Sequence, residues 1–345
     1  MEVLMFKRHI VVLSLIAMLG LPFALAGISQ GSLLFLTFEP GGRANGMGRA
    51  YSAVADDAYA MWWNPGATAF NRKTQLAGNH IPWLQGSGLD DMFYEFLGWN
   101  QYFYGIGNLN AHIIWLDAGT QPHTGANQEN YGDFHSFDVA GAAGYSYELV
   151  PEKVGLGGNF KLIYSYLAPP TGETETRGSA FSFAFDLGAK FQDIGLPGID
   201  GSIVLQNVGP DVTFVDQDQA DPSPMTFRLG GAYTLFDNPM NKMIVSAEAS
   251  KMLTNSDPLW KRFATGWNNF DETIYSAGAE YTYLDLISMR GGYFYDQVGD
   301  VLGPSFGVGV QYSFDQRYKL SADFAMVPAG GLVDYNKIFS LGFEF

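Results

Sequence analysis

A few arrangements in the sequence bring together residue types that could do chemistry. Gly27-Ile28-Ser29-Gln30-Gly31 matches the Gly-x-Ser-x-Gly pattern of a nucleophile elbow. That elbow needs a strand before the serine and a helix after it, whereas this copy begins where an export signal would be cut. Four histidines lie beyond that point: His80, His112, His123 and His135. None has the His-x-x-x-His or His-Glu spacing that presents ligands to zinc, so they read as interface or loop residues. Asp216, Asp218 and Asp221 offer carboxylates to a calcium ion, but without the turn glycine and terminal glutamate of an EF-hand they read as a solvated acidic loop. Asp56 and Asp57 could form a paired-carboxylate site. Capping a short helix that runs to about Trp63 accounts for them more simply. With no cysteine there is no thiol chemistry. No catalytic residue, cofactor or metal site is expected, and the chain is not read as an enzyme.

The remaining reactive-looking residues are aromatic. Trp260, Phe263, Trp267 and Phe270 crowd the longest expected loop, 254–271. Such a loop is apolar for pure solvent exposure and is a candidate docking surface for a protein partner. Trp83, Trp99 and Trp115, with Trp260 and Trp267, suit the aromatic girdles of a membrane barrel.

What holds these residues is set first by export. Lys7, Arg8 and His9 precede the apolar run Ile10 to Leu19, and Ala24-Leu25-Ala26 supplies a cleavage pattern. Residues 1–26 therefore read as a signal peptide rather than a membrane span, which needs about 20 apolar residues. No later window has the length of a spanning helix. Charged residues make up only 16% of the chain and aromatics 15%, against about 25% charged in ordinary soluble domains. The formal charge of −16 argues against a nucleic-acid partner.

Periodicity decides the architecture. From Phe181 to Gln192, Phe181, Phe183, Phe185, Leu187, Ala189 and Phe191 alternate with Ser182, Ala184, Asp186, Gly188, Lys190 and Gln192. A period of two means a strand with one apolar and one polar face. Candidate strands lie at 73–84, 91–102, 105–117, 134–149, 153–168, 179–193, 200–208, 224–236, 241–252, 272–283, 285–296, 303–314, 317–327 and 337–345. Most have the roughly 9–11-residue span, or more, of tilted membrane strands. Short links follow even-numbered strands and longer ones follow odd-numbered strands, as when tight periplasmic turns alternate with outer loops. The expected fold is an all-β, fourteen-stranded antiparallel transmembrane barrel over 73–345, facing outer-membrane lipid. Asp138, Lys161, Asp186, Arg228, Glu248, Glu280, Arg290 and Asp323 fall on its polar face, which makes that face the lumen.

Phe339, Leu341, Phe343 and Phe345 share one face of the last strand, a pattern that resembles the signal read by the barrel assembly machinery. Residues 27–72 break the strand period. They hold the run Gly41 to Gly48, the segment Ala53 to Ala60, and Trp62-Trp63-Asn64-Pro65-Gly66. A small Gly- and Ala-rich segment of this kind could fold back into the lumen as a plug.

This block carries a family resemblance. Ala44-Asn45-Gly46-Met47-Gly48-Arg49-Ala50, Ala53-Val54-Ala55-Asp56-Asp57-Ala58 and Trp63-Asn64-Pro65-Gly66 look like the opening motif of PorV/PorQ proteins, which are similar to FadL-type outer-membrane transporters. Leu205-Gln206-Asn207-Val208-Gly209, Arg290-Gly291-Gly292-Tyr293 and Phe339-Ser340-Leu341-Gly342-Phe343 extend it. The resemblance implies a plug motif including Arg43, Gly46, Met47, Gly48, Asp56, Asp57, Trp63, Asn64 and Pro65. It also implies work in type IX secretion, binding a translocon or attachment-complex protein and cargo with a C-terminal sorting domain. The alternative implied by the FadL-type relatives is uptake of hydrophobic small molecules. Gly66 departs from the usual Asn-Pro-Ala, a minor change because glycine still permits the tight turn.

Overall fold

The computed structural model describes residues 31–83, 85, 91–124, 129–170, 178–214, 220–268, 270–315, 317–330 and 333–345. The expected signal peptide, Gly27–Gln30, and Asp216 and Asp218 of the acidic loop lie outside them.

Alternation along each strand closes a single antiparallel barrel of fourteen strands. They are β1 (Gln75–Pro82), β2 (Phe93–Phe103), β3 (Gly107–Thr124), β4 (Asn130–Val150), β5 (Val154–Ala168), β6 (Gly178–Phe191) and β7 (Ile199–Val208). The second half comprises β8 (Thr226–Asp237), β9 (Asn241–Met252), β10 (Thr273–Tyr283), β11 (Ile287–Asp296), β12 (Val301–Phe314), β13 (Tyr318–Pro328) and β14 (Tyr335–Glu344). In β6 the alternation is realised directly: Phe181, Phe183, Phe185 and Leu187 are exposed on the outside, while Ser182, Ala184, Asp186 and Lys190 are buried inside. A lipid-facing wall and a packed lumen explain both faces.

Closure occurs where the last strand meets the first. Thr74 and Phe345 exchange two backbone hydrogen bonds of 2.9 Å, Gln75 lies opposite Glu344, and Lys73 Nζ pairs with Glu344 at 2.7 Å. Phe345 therefore sits at the short-turn end, the periplasmic end of an outer-membrane barrel. On the outside, Phe343 stacks on Tyr318 and packs at a tilt against Phe345, and farther along the same strand pair Phe324 packs on Phe339.

Two expectations need correction. The segment 118–133 is not simply a loop: β3 and β4 continue beyond Asp117 as a hairpin projecting at the long-loop end. A register shift between Asp117 and Thr120 permits this. Gly119 takes a positive φ there and its N–H donates to Asp117 Oδ1 at 2.9 Å, so the ladder resumes past the bulge. Trp83 is not a girdle residue; its ring stacks on Phe38 at 4.1 Å and packs against the buried cluster in the lumen. Trp115 does lie on the lipid face, stacked on Phe137 at 4.8 Å.

Candidate functional site

Residues 31–72 occupy the lumen. Helix α1 (Gly42–Gly46), helix α2 (Ala60–Trp63) and 3₁₀ turns at Leu34–Thr37 and Pro65–Phe70 are each too short to be stable alone. The barrel holds them. Met47, Tyr51, Met61, Trp62 and Trp63 are fully buried with wall residues such as Ile81, Phe96, Ile114, Ile163 and Ile338. The hydrophobic core of this protein is thus the interior of its barrel.

Glycines let plug and wall approach backbone to backbone. Gly48 turns the chain after α1 with φ +64, a conformation favouring glycine. A Cβ there would lie 2.6 Å from Ala277 O and 2.7 Å from Tyr293 N. On the wall, a Cβ on Gly278 would run into Met47 O, and one on Gly292 into Gly48 N. Gly66 is held in the same way. A Cβ on it would strike the carbonyl oxygen of Gly188 and lie 2.9 Å from Gly155 O. In this chain Gly66 is therefore a contact requirement, not the minor variation that a turn alone would make it.

Local chemistry shapes the rest. Asn64 Oδ1 accepts the Gly66 N–H at 3.0 Å, and Pro65 opens the following 3₁₀ turn at the position where its missing N–H costs nothing. The helix expected from Asp56–Asp57 shrinks to the single turn of α2. Asp57 stays at its entrance, with Oδ1 accepting the Tyr59 N–H at 2.9 Å and its carbonyl the Ala60 N–H at 3.0 Å. Asp56 does not cap; it pairs with Arg43.

That pairing begins a chain of charge from plug to wall. Arg43 grips Glu280 of β10 with both Nε and Nη2 at 2.8 Å, while its Nη1 meets Asp56 and the Tyr51 hydroxyl. Glu280 also accepts Arg290 Nε at 2.5 Å, and Arg290 Nη1 reaches Asp323 at 2.6 Å. A second chain lies toward the long-loop end. Arg49 pairs with Glu39 at 3.0 Å, and Arg228 bridges Glu39 and Glu248 at 2.8 and 3.0 Å. Glu248 then accepts the backbone N–H groups of Tyr51 and Ser52 at 3.2 and 2.8 Å. Lys190 donates to the Val54 and Ala55 carbonyls at 3.2 and 2.9 Å. Buried charges that are paired and hydrogen-bonded fix one docking geometry. Burial alone would raise the Asp56 carboxyl, but the Arg43 guanidinium and then Lys190 hold it well below the ordinary carboxylate range. Its oxygens remain half open to the water of the short-turn mouth. For Asp57 burial outweighs Arg43 and its carboxyl is pushed up.

The structure thus brings Arg43, Gly46, Met47, Gly48, Asp56, Asp57, Trp63, Asn64 and Pro65 together in one lumen assembly. Glu39, Tyr51, Ser52 and Lys190 belong to it too and were missed, although Lys190 falls on the inward phase of β6. Cavities of about 210 and 260 Å³ remain at the short-turn and long-loop mouths, with the plug between them. The β6–β7 ladder breaks between Phe185 and Leu187. Side chains take up the backbone groups there: Ser223 donates to Asn207 O and the Asn207 N–H donates to Asp186 Oδ1, both at 2.9 Å. His80 pairs with Glu95 on the outer wall at 2.7 Å, His112 is buried, and His123 and His135 lie in the hairpin. No cluster of three metal-ligand side chains occurs among the described residues.

The aromatic loop divides. Helix α3 (Leu259–Thr265) carries Trp260, 71% exposed, and Phe263, 45% exposed; Phe270 beyond it is 65% exposed. Trp267 instead packs edge-on against Phe227 at 5.1 Å. Phe339, Leu341, Phe343 and Phe345 lie elsewhere, along the β14 wall four strands round the barrel from β10.

No curated protein matches the sequence. Among solved structures, the Ralstonia pickettii toluene transporter TbuX aligns over 89% of this chain and 98% of its own, at TM-score 0.56 and 12% identity. The Pseudomonas putida toluene transporter TodX covers 89% and 97% at TM-score 0.52 and 12% identity. The CymD monoaromatic hydrocarbon channel covers 91% and 98% at TM-score 0.53 and 14% identity. Likeness at this identity establishes a shared outer-membrane barrel fold. The family model described as type IX secretion system protein PorV matches residues 28–259, which spans the plug and β1 to β9, and on that match the chain belongs to the PorV family.

Proposed function

We propose that this protein is a non-enzymatic component of type IX secretion, a plugged barrel that binds a translocon or attachment-complex protein and sorting-domain cargo at its outer end. The observation that carries this reading is the filled lumen in a PorV-family chain. Wholly buried tryptophans, two chains of paired charge and backbone-to-backbone glycine contacts hold residues 31–72 in place. Function then falls to the surface. Partner contact is assigned to the long-loop end, to the projecting β3–β4 hairpin and, in the 254–271 segment, to the exposed Phe270. Pull-down of the tagged protein from solubilised outer membranes should recover a large translocon barrel or cargo with a C-terminal sorting domain. Recovery of neither would refute the proposal.

The β14 row of Phe339, Leu341, Phe343 and Phe345 is assigned to recognition by the barrel assembly machinery. Phe345→Ser removes one aromatic of this row and leaves the Thr74 backbone pair available. The expected result is a several-fold loss of heat-modifiable, folded protein in the outer membrane. Unchanged yield would remove Phe345 from that role.

A further inference from the structure

The loop after β9 does not stand free above the barrel; it is folded down against the outside of the wall. Lys251 lies on the outward face of β9 opposite Phe227 of β8, yet it is buried and its Nζ reaches Glu272 at the far end of the loop at 3.2 Å. Trp267 lies on Phe227, which precedes the exposed outward residue Leu229 by one strand repeat. Helix α3 is pinned from its other side. Arg262 is buried, with Nη2 on Asp211 at 2.6 Å and Nε donating to Asn255 O at 3.1 Å. Trp267 Nε1 donates back to Phe263 O at 2.9 Å and fixes the turn that follows.

With Arg262 inward, Trp260 and Phe263 share one face of α3 at i and i+3, and Trp267, in the turn after the helix, is tied to that face by its bond to Phe263 O. The stripe is continuous at Trp267 with the lipid-facing row of β8, at the end of the strand remote from the tight 237–241 turn. Lys261 Nζ lies over the Trp260 ring at 5.3 Å and is exposed. Aromatic rings with an adjacent lysine are the side chains that settle at the boundary between acyl chains and headgroups.

We infer that the Trp260–Phe263–Trp267 stripe is a membrane foot that rests in the outer leaflet, with Lys261 at the level of anionic lipid phosphates. The foot is independent of the secretion reading. It leaves protein partners the hairpin and the rest of the loop end, and clamps the loop so that this end keeps one orientation to the membrane.

The absence of cysteine allows a direct test. Trp260→Cys, Phe263→Cys and Ala264→Cys, with Gln121→Cys in the hairpin as an aqueous reference, are labelled with an environment-sensitive fluorophore. The full barrels, checked by heat-modifiable mobility, are reconstituted without partner proteins into phosphatidylcholine–phosphatidylglycerol vesicles. Labels at 260, 263 and 264 should be quenched several-fold more than that at 121 by lipid carrying a shallow spin label, and protected from iodide. Iodide quenching equal to that at 121 would overturn the inference and leave the stripe in water, open to a protein. Ala264 adds no lost aromatic, so its label reports the location even where Trp260→Cys or Phe263→Cys destabilises the loop.

Discussion

Gly292→Leu is expected to unseat the plug and open the lumen, while Gly291→Leu, one residue away, is expected to do neither. Gly292 faces inward, and any Cβ would be driven into Gly48 N and the Met47 carbonyl carbon. Both obstacles are backbone, so no rotamer change relieves them. Gly291 faces lipid with nothing within 4 Å of its Cβ position, and a leucine there extends the apolar outer face. Overpacking that forces backbone to move costs roughly 1–3 kcal/mol and occasionally more. The plug elements have no stability of their own to resist such a cost. Planar-bilayer recordings should show current well above that of the parent for Gly292→Leu and parental current for Gly291→Leu. Heat-modifiable mobility should be retained by both, because the strand ladder does not depend on the plug. If Gly292→Leu stays silent, the plug is not held by this seam.

The asymmetry between those two glycines explains what the sequence disclosed and what it withheld. A strand's faces repeat every two residues, so the wall was legible from local pattern: Phe181 to Phe191 and Phe339 to Phe345 needed no distant information. The ends of the strands followed from turn chemistry to within a few residues, except where a bulge at Asp117–Thr120 carried β3 and β4 into the hairpin. The lumen contacts are different. Gly48 meets Gly292, Gly66 meets Gly188, and Arg43 meets Glu280 across separations of more than a hundred residues, and such meetings leave no periodic trace. One trace was available. Glycines recur at inward positions of β5, β6, β10, β11 and β12, where side chains would otherwise fill space, which is what a closely applied second backbone demands. The role of Gly66 was misjudged for the same reason, since its local turn is satisfied by other residues and only Gly188 and Gly155 forbid a side chain. Trp83 was assigned by residue type alone, and Phe38, forty-five positions earlier, decides where its ring goes.

The second large effect is expected at Arg43→Met. The substitution keeps most of the volume and removes the fork that joins Asp56, Tyr51 and Glu280. Breaking a buried ion pair from one side costs roughly 3–5 kcal/mol; Glu280 retains Arg290, which places the loss near about 3 kcal/mol. Hydrogen exchange of the amides between Arg43 and Ala60 should quicken strongly, with β-strand amides unchanged. Adding Glu280→Gln should restore part of the protection, because the carboxylate left short of a partner is then neutral. No recovery would mean that Arg43 acts by packing over Tyr51 rather than by charge. Acid alone should not mimic the substitution between pH 7 and 5. Asp56 is depressed in the folded protein, so its contribution is complete above its unfolded value near about 3.9 and is lost only as pH falls through the lower folded value. Asp57 is raised, so its contribution is greatest below its unfolded value and is lost as pH rises through the folded one. Both signs predict a plug held at least as firmly at pH 5 as at pH 7. Quickened exchange at pH 5, after correction for the intrinsic rate, would show that the clasp is governed by a group other than these two carboxylates.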